Sequence, residues 1–385
     1  MRTRYARVML TVAGCLLAII VLQAQSCNWQ NYPHLWSTPT FKPWLVVKCQ
    51  FPDAPAIPAG LDDSINRFFT IGGIASGNIQ DYYSDVSYGA ISLVGTSVVG
   101  WYPSGYKTTD FGGPGNRYQR VQACVNSIPP SDAADIDFGH YWGIVIVTNQ
   151  RNDGGACWDG QSNLSIQGSN YNLGCVVFDP DSLFTAFAAH EIGHGLGFPH
   201  SFDDAGNSCG GAPGEYCDPW DIMSALATYQ FTETNFITPG GNNTAGPGVN
   251  APNLLQMGWI PASRIASYNI GDPPATFVLN ALSHPVGSGD LAVQIPLPFL
   301  PIAVTLEYRQ KDGWDAGIPQ NAVLLHFYEP TVNPYSFLMD KEGPFKPGAI
   351  LAGQTLTESA YSIKVNSIDS GSGTASVTIG PGSGS

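Results

Sequence analysis

Residues 179–200 of the chain read DPDSLFTAFAAHEIGHGLGFPH, and the interpretation of the whole sequence starts from this stretch. The apolar residues in its first half predict a helix. Asp179 is expected to act as the N-cap, and Pro180 occupies the first turn, where its missing N–H costs nothing. Gly195 and Gly197 are expected to end the helix. The stretch therefore predicts one helix followed by a sharp turn.

Three histidines in this stretch have the spacing of a metal site. His190 and His194 lie one above the other on a helix, so both imidazoles can reach one ion. Gly197 can adopt a positive φ, which lets the chain turn back and bring His200 to the same ion. Three neutral imidazoles and a solvent molecule make the open tetrahedral site of a catalytic zinc ion, and Glu191 can accept a proton there without binding the metal. The pattern uses three of the seven histidines, which disfavours the competing interpretation of incidental histidines.

The extended motif HExxHxxGxxH resembles that of the metzincin clan of zinc metallopeptidases. The resemblance implies a methionine-containing turn beneath the zinc, and residues 218–224 (DPWDIMS) contain Met223 at a suitable distance after His200. Met223 is then an apolar floor of the site and not a ligand; an ordinary core methionine is the alternative. Some metzincins have a tyrosine just past this turn, which makes Tyr229 a candidate oxyanion stabiliser. Its offset differs from theirs, so a surface or core tyrosine is the alternative.

Other segments are similar to two narrower groups, the M6 peptidases of the immune-inhibitor-A type and the gametolysin-like proteins. Residues 80–89 (QDYYSDVSYG), followed by GWY at 100–102, resemble the N-terminal region of M6 peptidases. The β-rich region that follows the catalytic domain in both groups is similar to three segments here: LEYRQ at 306–310, GWDAGIP at 313–319 and VLLH at 323–326. His200 fits gametolysin better than M6 enzymes, which often carry aspartate at that position.

The fold class that this resemblance implies is α+β. A metzincin-type catalytic domain, with a twisted sheet and the active-site helix, is followed by a smaller all-β domain. We expect the catalytic domain over residues 27–255, the β-rich domain over 256–380 and a flexible tail over 381–385. Within the catalytic domain, frequent β-branched residues also predict a strand over 90–99.

The first 26 residues predict a secretory signal peptide. Basic residues precede an apolar run over residues 8–22, which is short for a permanent membrane span. An uncleaved membrane anchor is the alternative. Cleavage leaves Cys27 without an obvious partner, and it is a candidate for lipid attachment. Of the remaining cysteines, two pairs flank short loops and the third follows by elimination, with other pairings still open: Cys157 with Cys175, Cys209 with Cys217, and Cys49 with Cys124.

The charge and composition of the chain limit the classes of partner that we expect it to bind. The chain has 16 Lys and Arg against 30 Asp and Glu, a formal net charge of −14, which argues against nucleic acid. A membrane is expected to be contacted only through the leader or a lipid on Cys27. Asp203, Asp204 and Asp221 lie near the motif and could hold calcium, but they lack EF-type spacing, and solvated turn carboxylates are the alternative.

The sequence therefore predicts a secreted or cell-surface-anchored zinc endopeptidase that acts on proteins or peptides. A metal-activated water would attack the peptide bond, with Glu191 as general base and then general acid. The alternative is a catalytically weak, surface-attached protein- or glycan-binding protein with a residual zinc site. The intact Glu191 disfavours this alternative, since loss of the base is the simplest route to decay.

Overall fold

The computed structural model describes residues 34–70, 77–112, 116–233, 241–340 and 348–384. The predicted signal peptide and Cys27 lie outside the described residues. Across the described ranges, no helix is both long enough and apolar enough to cross a membrane.

The described residues form short helices and many short strands. The helices are α1 (Leu61–Phe69), α2 (Ile79–Val86), α3 (Arg117–Asn126), α4 (Pro130–Ala133), α5 (Thr185–Leu196) and α6 (Ala251–Gln256), with 3₁₀ segments at Phe138–His140, Ile222–Ala227, Ala262–Arg264 and Gly313–Asp315. The first strands are β1 (Thr40–Phe41), β2 (Trp44–Gln50), β3 (Ile91–Ser92), β4 (Ser97–Pro103), β5 (Gly143–Thr148), β6 (Gly155–Ala156), β7 (Ser162–Ile166), β8 (Ser169–Phe178), β9 (Phe202–Asp203), β10 (Phe231–Thr232) and β11 (Thr244–Ala245). The later strands are β12 (Ile265–Ser267), β13 (Ala275–Asn280), β14 (Ala292–Pro296), β15 (Ala303–Arg309), β16 (Ala322–Tyr328), β17 (Ser336–Leu338), β18 (Ala349–Ile350), β19 (Thr355–Thr357), β20 (Tyr361–Asp369) and β21 (Thr374–Pro381).

The first sheet has the strand order β4-β2-β5-β8-β6, with β7 also paired to β8. Strands β4, β2, β5 and β8 run parallel, whereas β6 and β7 are antiparallel to β8. Alternate residues of β2 enter different cores, with Trp44 and Val46 on one face and Leu45 and Val47 on the other. Helix α5 packs into the first core and α3 into the second. Because helices cover both faces, the central strands are apolar on both sides.

Helix α5 carries the two helical histidines and begins later than the sequence predicts. Its N-cap is Phe184 in an extended conformation, so the predicted N-cap at Asp179 is wrong. The Asp179 N–H donates to Ser182 Oγ at 2.7 Å, and the Ser182 N–H donates to the Asp179 carbonyl at 3.1 Å. This local turn uses the groups that would otherwise start a helix there. The end agrees with the prediction, since Gly197 has φ 110° and its N–H donates to the His194 carbonyl at 2.8 Å.

Two further sheets follow along the chain. One has the order β12-β14-β15-β16-β17-β9, with β18 paired to β16, and the other is the antiparallel order β13-β21-β20-β19. Strand β9 comes directly after the histidine motif and pairs parallel with β17, with Phe202 opposite Phe337 and Asp203 opposite Leu338. A strand from the segment after His200 is therefore part of a sheet otherwise built from C-terminal residues. The predicted domain boundary at residue 256 stays a prediction.

A buried set of charged side chains joins the C-terminal strands to the turn around residue 221. We call Asp218, Glu307, Arg309, Asp315 and His326 the ionic cluster, and all of them are buried. His326 Nε2 lies 3.1 Å from Asp218 Oδ2, Arg309 Nη1 lies 3.2 Å from Glu307 Oε1, and Arg309 Nε donates to Asp315 Oδ2 at 2.8 Å. Each cation of the cluster thus has a carboxylate partner.

One local prediction differs from the structure. The single strand expected over 90–99 is two strands, β3 and β4, because the chain turns between them at Gly95 with φ 97°. Where the sequence predicts a flexible tail, the N–H groups of Ser383 and Gly384 each donate at 3.0 Å to carbonyls of residues 358 and 359. Ser383 and Gly384 are thus hydrogen-bonded to the segment before β20, and the flexibility of the tail stays a prediction.

The three predicted disulfide pairings are confirmed. Cys49 is bonded to Cys124, Cys157 to Cys175, and Cys209 to Cys217. The first ties β2 to α3, and the other two close the loops on either side of the histidine motif.

Candidate metal centre

The three histidines of the motif converge. His190 and His194 lie on α5, one turn apart, and the reversal at Gly197 brings His200 back to them. The Nε2 atoms of His190 and His194 are 3.0 Å apart, and one ligand atom from each of the three rings lies within 4.8 Å of the others. Among the described residues, these three histidines are the one set of His, Cys, Asp or Glu side chains close enough together to bind a single metal ion.

The hydrogen bonds at Nδ1 fix the tautomers of the two helical rings. His190 Nδ1 lies 3.0 Å from the Ile222 carbonyl, and His194 Nδ1 lies 2.9 Å from the Phe198 carbonyl and 2.8 Å from Asp159 Oδ1. A carbonyl oxygen can only accept a hydrogen bond, so Nδ1 is the protonated nitrogen in both neutral rings. Each Nε2 is left with a lone pair directed at the other.

His200 is held from the loop closed by the Cys209–Cys217 disulfide. Its Nδ1 lies 2.5 Å from Glu215 Oε1, and its Nε2 lies 3.0 Å from the Tyr216 hydroxyl. The Glu215 carboxylate accepts the Nδ1 proton, so the Nε2 lone pair again faces the other two rings. The Tyr216 hydroxyl lies beside that lone pair.

This donor set fits a zinc ion. Tetrahedral Zn–N bonds of about 2.0–2.1 Å place neighbouring nitrogen atoms about 3.3 Å apart, close to the 3.0 Å observed between the helical rings. Two lone pairs at this distance repel each other unless a cation lies between them. Each ring also donates its other N–H to a carbonyl or carboxylate, the usual arrangement around a histidine-bound metal.

The pKa of His194 is shifted in the opposite direction from those of His190 and His200. Burial, followed by the charge of His194, lowers the pKa of His190 and of His200, which favours the neutral form that binds metal. Burial also acts to lower the pKa of His194, but the hydrogen bond to Asp159 and the charge of Glu191 outweigh it and raise the pKa overall. A metal ion therefore displaces a proton at this ring, so metal affinity increases with pH.

Glu191 lies between the histidines and the edge of the first sheet. Its Oε2 accepts the Ala156 N–H at 2.6 Å, which leaves the second carboxylate oxygen for other partners. Burial raises the pKa of Glu191, although His194 and the Ala156 hydrogen bond act in the opposite direction. A carboxylate with a raised pKa is a stronger base than one in water.

The turn that contains Met223 packs directly beneath α5. Met223 is fully buried, and a Cβ placed on Gly193 would lie 2.7 Å from its sulfur. The same turn supplies the Ile222 carbonyl that orients His190. Ala225 within it has a positive φ of 51°.

Tyr229 packs beside Trp220 and the C-terminal strands. Its ring packs edge-on against Trp220 at 5.2 Å, and it borders a small apolar cluster of the C-terminal strands. The tyrosine hydroxyl within hydrogen-bond distance of His200 Nε2 is that of Tyr216. The structure therefore brings together His190, His194, His200, Glu191 and Met223, and it brings Tyr216 to them instead of Tyr229.

The three aspartates considered for calcium each accept hydrogen bonds from the protein. Asp203 accepts from the N–H of Gly206 at 2.9 Å, Asp204 from that of Asp340 at 2.8 Å, and Asp221 from that of Met223 at 2.8 Å. A calcium site at these residues stays a prediction.

Sequence reasoning missed Asp159, Glu215 and Tyr216. Asp159 follows Cys157 by two residues, and Glu215 and Tyr216 directly precede Cys217. A disulfide-closed loop beside a metal motif is a weak signal, because spacing alone does not show that such a loop folds over the histidines.

Comparison with known proteins supports this description. Residues 80–246 match the family model described as metallo-peptidase family M12B, reprolysin-like. The matched segment is under half of the chain, and it runs from α2 to just past β11, including the three histidines and Met223. The match indicates a metzincin-type zinc metallopeptidase, which acts on proteins or peptides, and the M6 or gametolysin subtype stays a prediction. None of the curated proteins matches the chain.

Proposed function

We propose that the chain is an exported zinc endopeptidase in which His190, His194 and His200 hold the metal and Glu191 is the general base and acid. The observation that carries the proposal is the convergence of three Nε2 lone pairs beside a buried carboxylate. The reprolysin-like match over this part of the chain points to the same chemistry.

The proposed roles follow from the contacts of each side chain. When bound, zinc supplies a Lewis acid that polarises the substrate carbonyl and lowers the pKa of water. Glu191 takes the proton from the attacking water and then gives it to the leaving amine. Burial, which raises the pKa of Glu191, favours the first of these transfers. Met223 supports α5 from below, and Ile222, Asp159 and Glu215 hold the ring orientations.

Tyr216 is the proposed oxyanion donor in place of Tyr229. Its hydroxyl is 3.0 Å from His200 Nε2, the nitrogen that faces the other histidines. A metal ligand has no lone pair left for that hydroxyl, which is then free to donate to the developing negative charge on the substrate oxygen.

The proposed substrate-binding edge is strand β6. The Cys157 N–H donates to the Cys175 carbonyl of β8 at 2.9 Å, so by alternation the N–H and C=O of Ala156 point away from β8. Because the Ala156 N–H reaches Glu191, a substrate strand paired to this free edge would run past the carboxylate.

Export and domain organisation are also proposals. Three disulfides are typical of an oxidising compartment and agree with a cleaved leader over residues 1–26. We keep the catalytic part at 27–255 and the β-rich part at 256–380. His200 favours the gametolysin-like subtype over the immune-inhibitor-A type.

The proposal is tested by digesting a peptide library and casein with the zinc-loaded protein. Glu191→Ala is expected to retain one zinc equivalent while cleavage falls by about 10²- to 10⁴-fold. Asp181→Ala is the matched control, because that carboxylate is exposed and only loosely paired with Arg151 at 3.9 Å. A wild-type protein that holds zinc but cleaves no peptide would favour the binding-protein alternative.

A further inference from the structure

The main chain of Ala156 is occupied on its free side by two side chains. Its N–H donates to Glu191, and its carbonyl accepts from Arg117 Nη1 at 3.1 Å. Arg117 is the first residue of α3, which packs on the opposite face of the sheet from α5. An arginine from a separate element therefore reaches the strand edge where a substrate would pair.

Gly155 leaves room for the Arg117 guanidinium because it has no side chain. Gly155 has φ 140°, and a Cβ built there would lie 2.2 Å from Arg117 Cζ. A side chain at 155 would therefore have to displace the end of the Arg117 side chain from this position. The absence of a side chain at Gly155 thus leaves space for the guanidinium where it is observed.

The guanidinium is only partly satisfied by its present partners. Arg117 Nε is buried with no hydrogen-bond partner, and its contacts with Asp153 are 3.4 Å from both Nε and Nη2. A bidentate arginine–carboxylate pair has distances of about 2.7–2.9 Å. Asp153 also lies 3.7 Å from the buried Arg120, so two guanidinium groups share one carboxylate.

We propose that Arg117 binds a carboxylate of the substrate and sets the preference of the site for it; this inference rests on the proposed peptidase function. A substrate strand at β6 needs the Ala156 carbonyl as an acceptor for one of its own N–H groups. Arg117 then gives up its bond to that carbonyl, and its planar fork can pair with a carboxylate beside the strand. Its side chain is 20% exposed, so a ligand can reach it. The carboxylate comes from an acidic side chain or from the free C-terminus of the peptide.

The experiment measures kcat/KM for matched peptides in which one position at a time is Gln or Glu, each with a free or an amidated C-terminus. The wild type is expected to prefer the carboxylate-bearing peptide by about tenfold or more. Arg117→Gln should bring that ratio near one, whatever its effect on the absolute rates. If amidation abolishes the preference, Arg117 binds the C-terminal carboxylate of the peptide. If the preference persists, Arg117 binds the acidic side chain. Arg151→Gln is the matched control, because Arg151 is 87% exposed.

Binding measurements separate this inference from the peptidase proposal. Fluorescence anisotropy with Glu191→Gln protein reports carboxylate preference without cleavage, so it decides the role of Arg117 even if the wild type cleaves none of the peptides. Thermal unfolding shows whether Arg117→Gln is folded, and Arg117→Lys and Asp153→Asn extend the series. Lys is expected to retain part of the preference, and Asp153→Asn to increase it by removing a competing carboxylate. Equal binding of acidic and neutral peptides by the folded wild type, or an unchanged ratio in Arg117→Gln, would overturn the proposal.

Discussion

The histidine site and the ionic cluster are two buried polar regions on either side of the turn at residues 218–224. In the ionic cluster, opposite charges meet: Arg309 lies between two carboxylates, and His326 contacts Asp218. Burial acts to lower the pKa of His326, but the charge of Glu307 and the hydrogen bond to Asp218 raise it overall, so this ring favours the cationic form. In the histidine site, by contrast, three rings direct the same kind of atom at one point.

This difference suggests that the ionic cluster contributes to the stability of the fold, whereas the histidine site serves function. In the ionic cluster each cation lies against a carboxylate of the protein itself, and removing a cation leaves buried carboxylates without it. A cluster whose lone pairs face one another is complete only with a cation from outside. We therefore expect substitutions in the ionic cluster to cost stability, and substitutions in the histidine site to cost activity.

The strongest test of this contrast is His190→Ala. We expect peptide cleavage to fall by more than about 10⁴-fold, the upper limit for loss of a single general base, because the metal itself is lost. The metal-free variant should unfold close to the urea concentration of the metal-free wild type, since the metal that the His190 ring would bind is absent from both. His284→Ala, at a half-exposed side chain paired with Asp312, is the control and should retain activity. If the His190→Ala protein is unfolded, the histidine site also contributes to stability, and the contrast between the two regions is wrong.

The next effect concerns the ionic cluster. Arg309→Met should lower the free energy of unfolding by about 3–5 kcal/mol, because Glu307 and Asp315 are left buried without their cation. Urea denaturation of the metal-free protein measures this loss. Arg151→Met, at an exposed arginine, should stay within about 0.5 kcal/mol of the wild type. Equal stability of the two variants would mean that the cluster is not a source of stability.

A smaller effect tests the residues that orient the rings. Glu215→Gln should weaken zinc binding by about tenfold, because the amide is a poorer acceptor for the His200 Nδ1 proton. Competition with a chromophoric chelator measures the affinity, and Asp159→Asn should act in the same direction through His194. Asp63→Asn, whose carboxylate is 76% exposed, is the control. Unchanged zinc affinity in both variants would show that the carboxylates do not support the ligands.

The last effect is a pH dependence at Asp85, a buried carboxyl that accepts the Trp314 Nε1–H at 2.9 Å. Burial raises the pKa of Asp85 to about 8. Between its unfolded value and that pKa the folded state binds more protons, so the stability contributed by this group falls as pH rises from about 4 to about 8.

Relative to Asp85→Asn, the wild type should therefore lose about 1 kcal/mol of unfolding free energy for each pH unit between 5 and 7. Urea denaturation at several pH values gives this difference directly. A difference that stays flat with pH would mean that Asp85 is ionised in the folded protein.

The histidine site was predictable because its information is local. His190, His194 and His200 lie within eleven residues, and helix geometry together with one glycine turn relates them. The central strands follow from apolar runs and two of the disulfides from cysteines that flank short loops, whereas the pairing of Cys49 with Cys124 follows only by elimination. The start of α5 was missed because a tertiary turn at Asp179 and Ser182 competes with the helix.

The ionic cluster and the contacts of Arg117 were not predictable, since their partners are distant in sequence. His326 and Asp218 are 108 residues apart, and Arg117 and Ala156 are 39 apart. No periodicity relates such positions; only the folded sheets bring them together. Asp159 and Glu215 were also not predictable, because disulfide closure and packing determine where the loops that carry them lie.

The pairing of β9 with β17 has a consequence for the order of assembly. The chain leaves the ribosome from its N-terminus, and the partner of Phe202 is Phe337, which is made much later. We expect the third imidazole to reach its final place only after nearly the whole polypeptide has been synthesised. A chain that ends before β17 is then expected to lack a complete site.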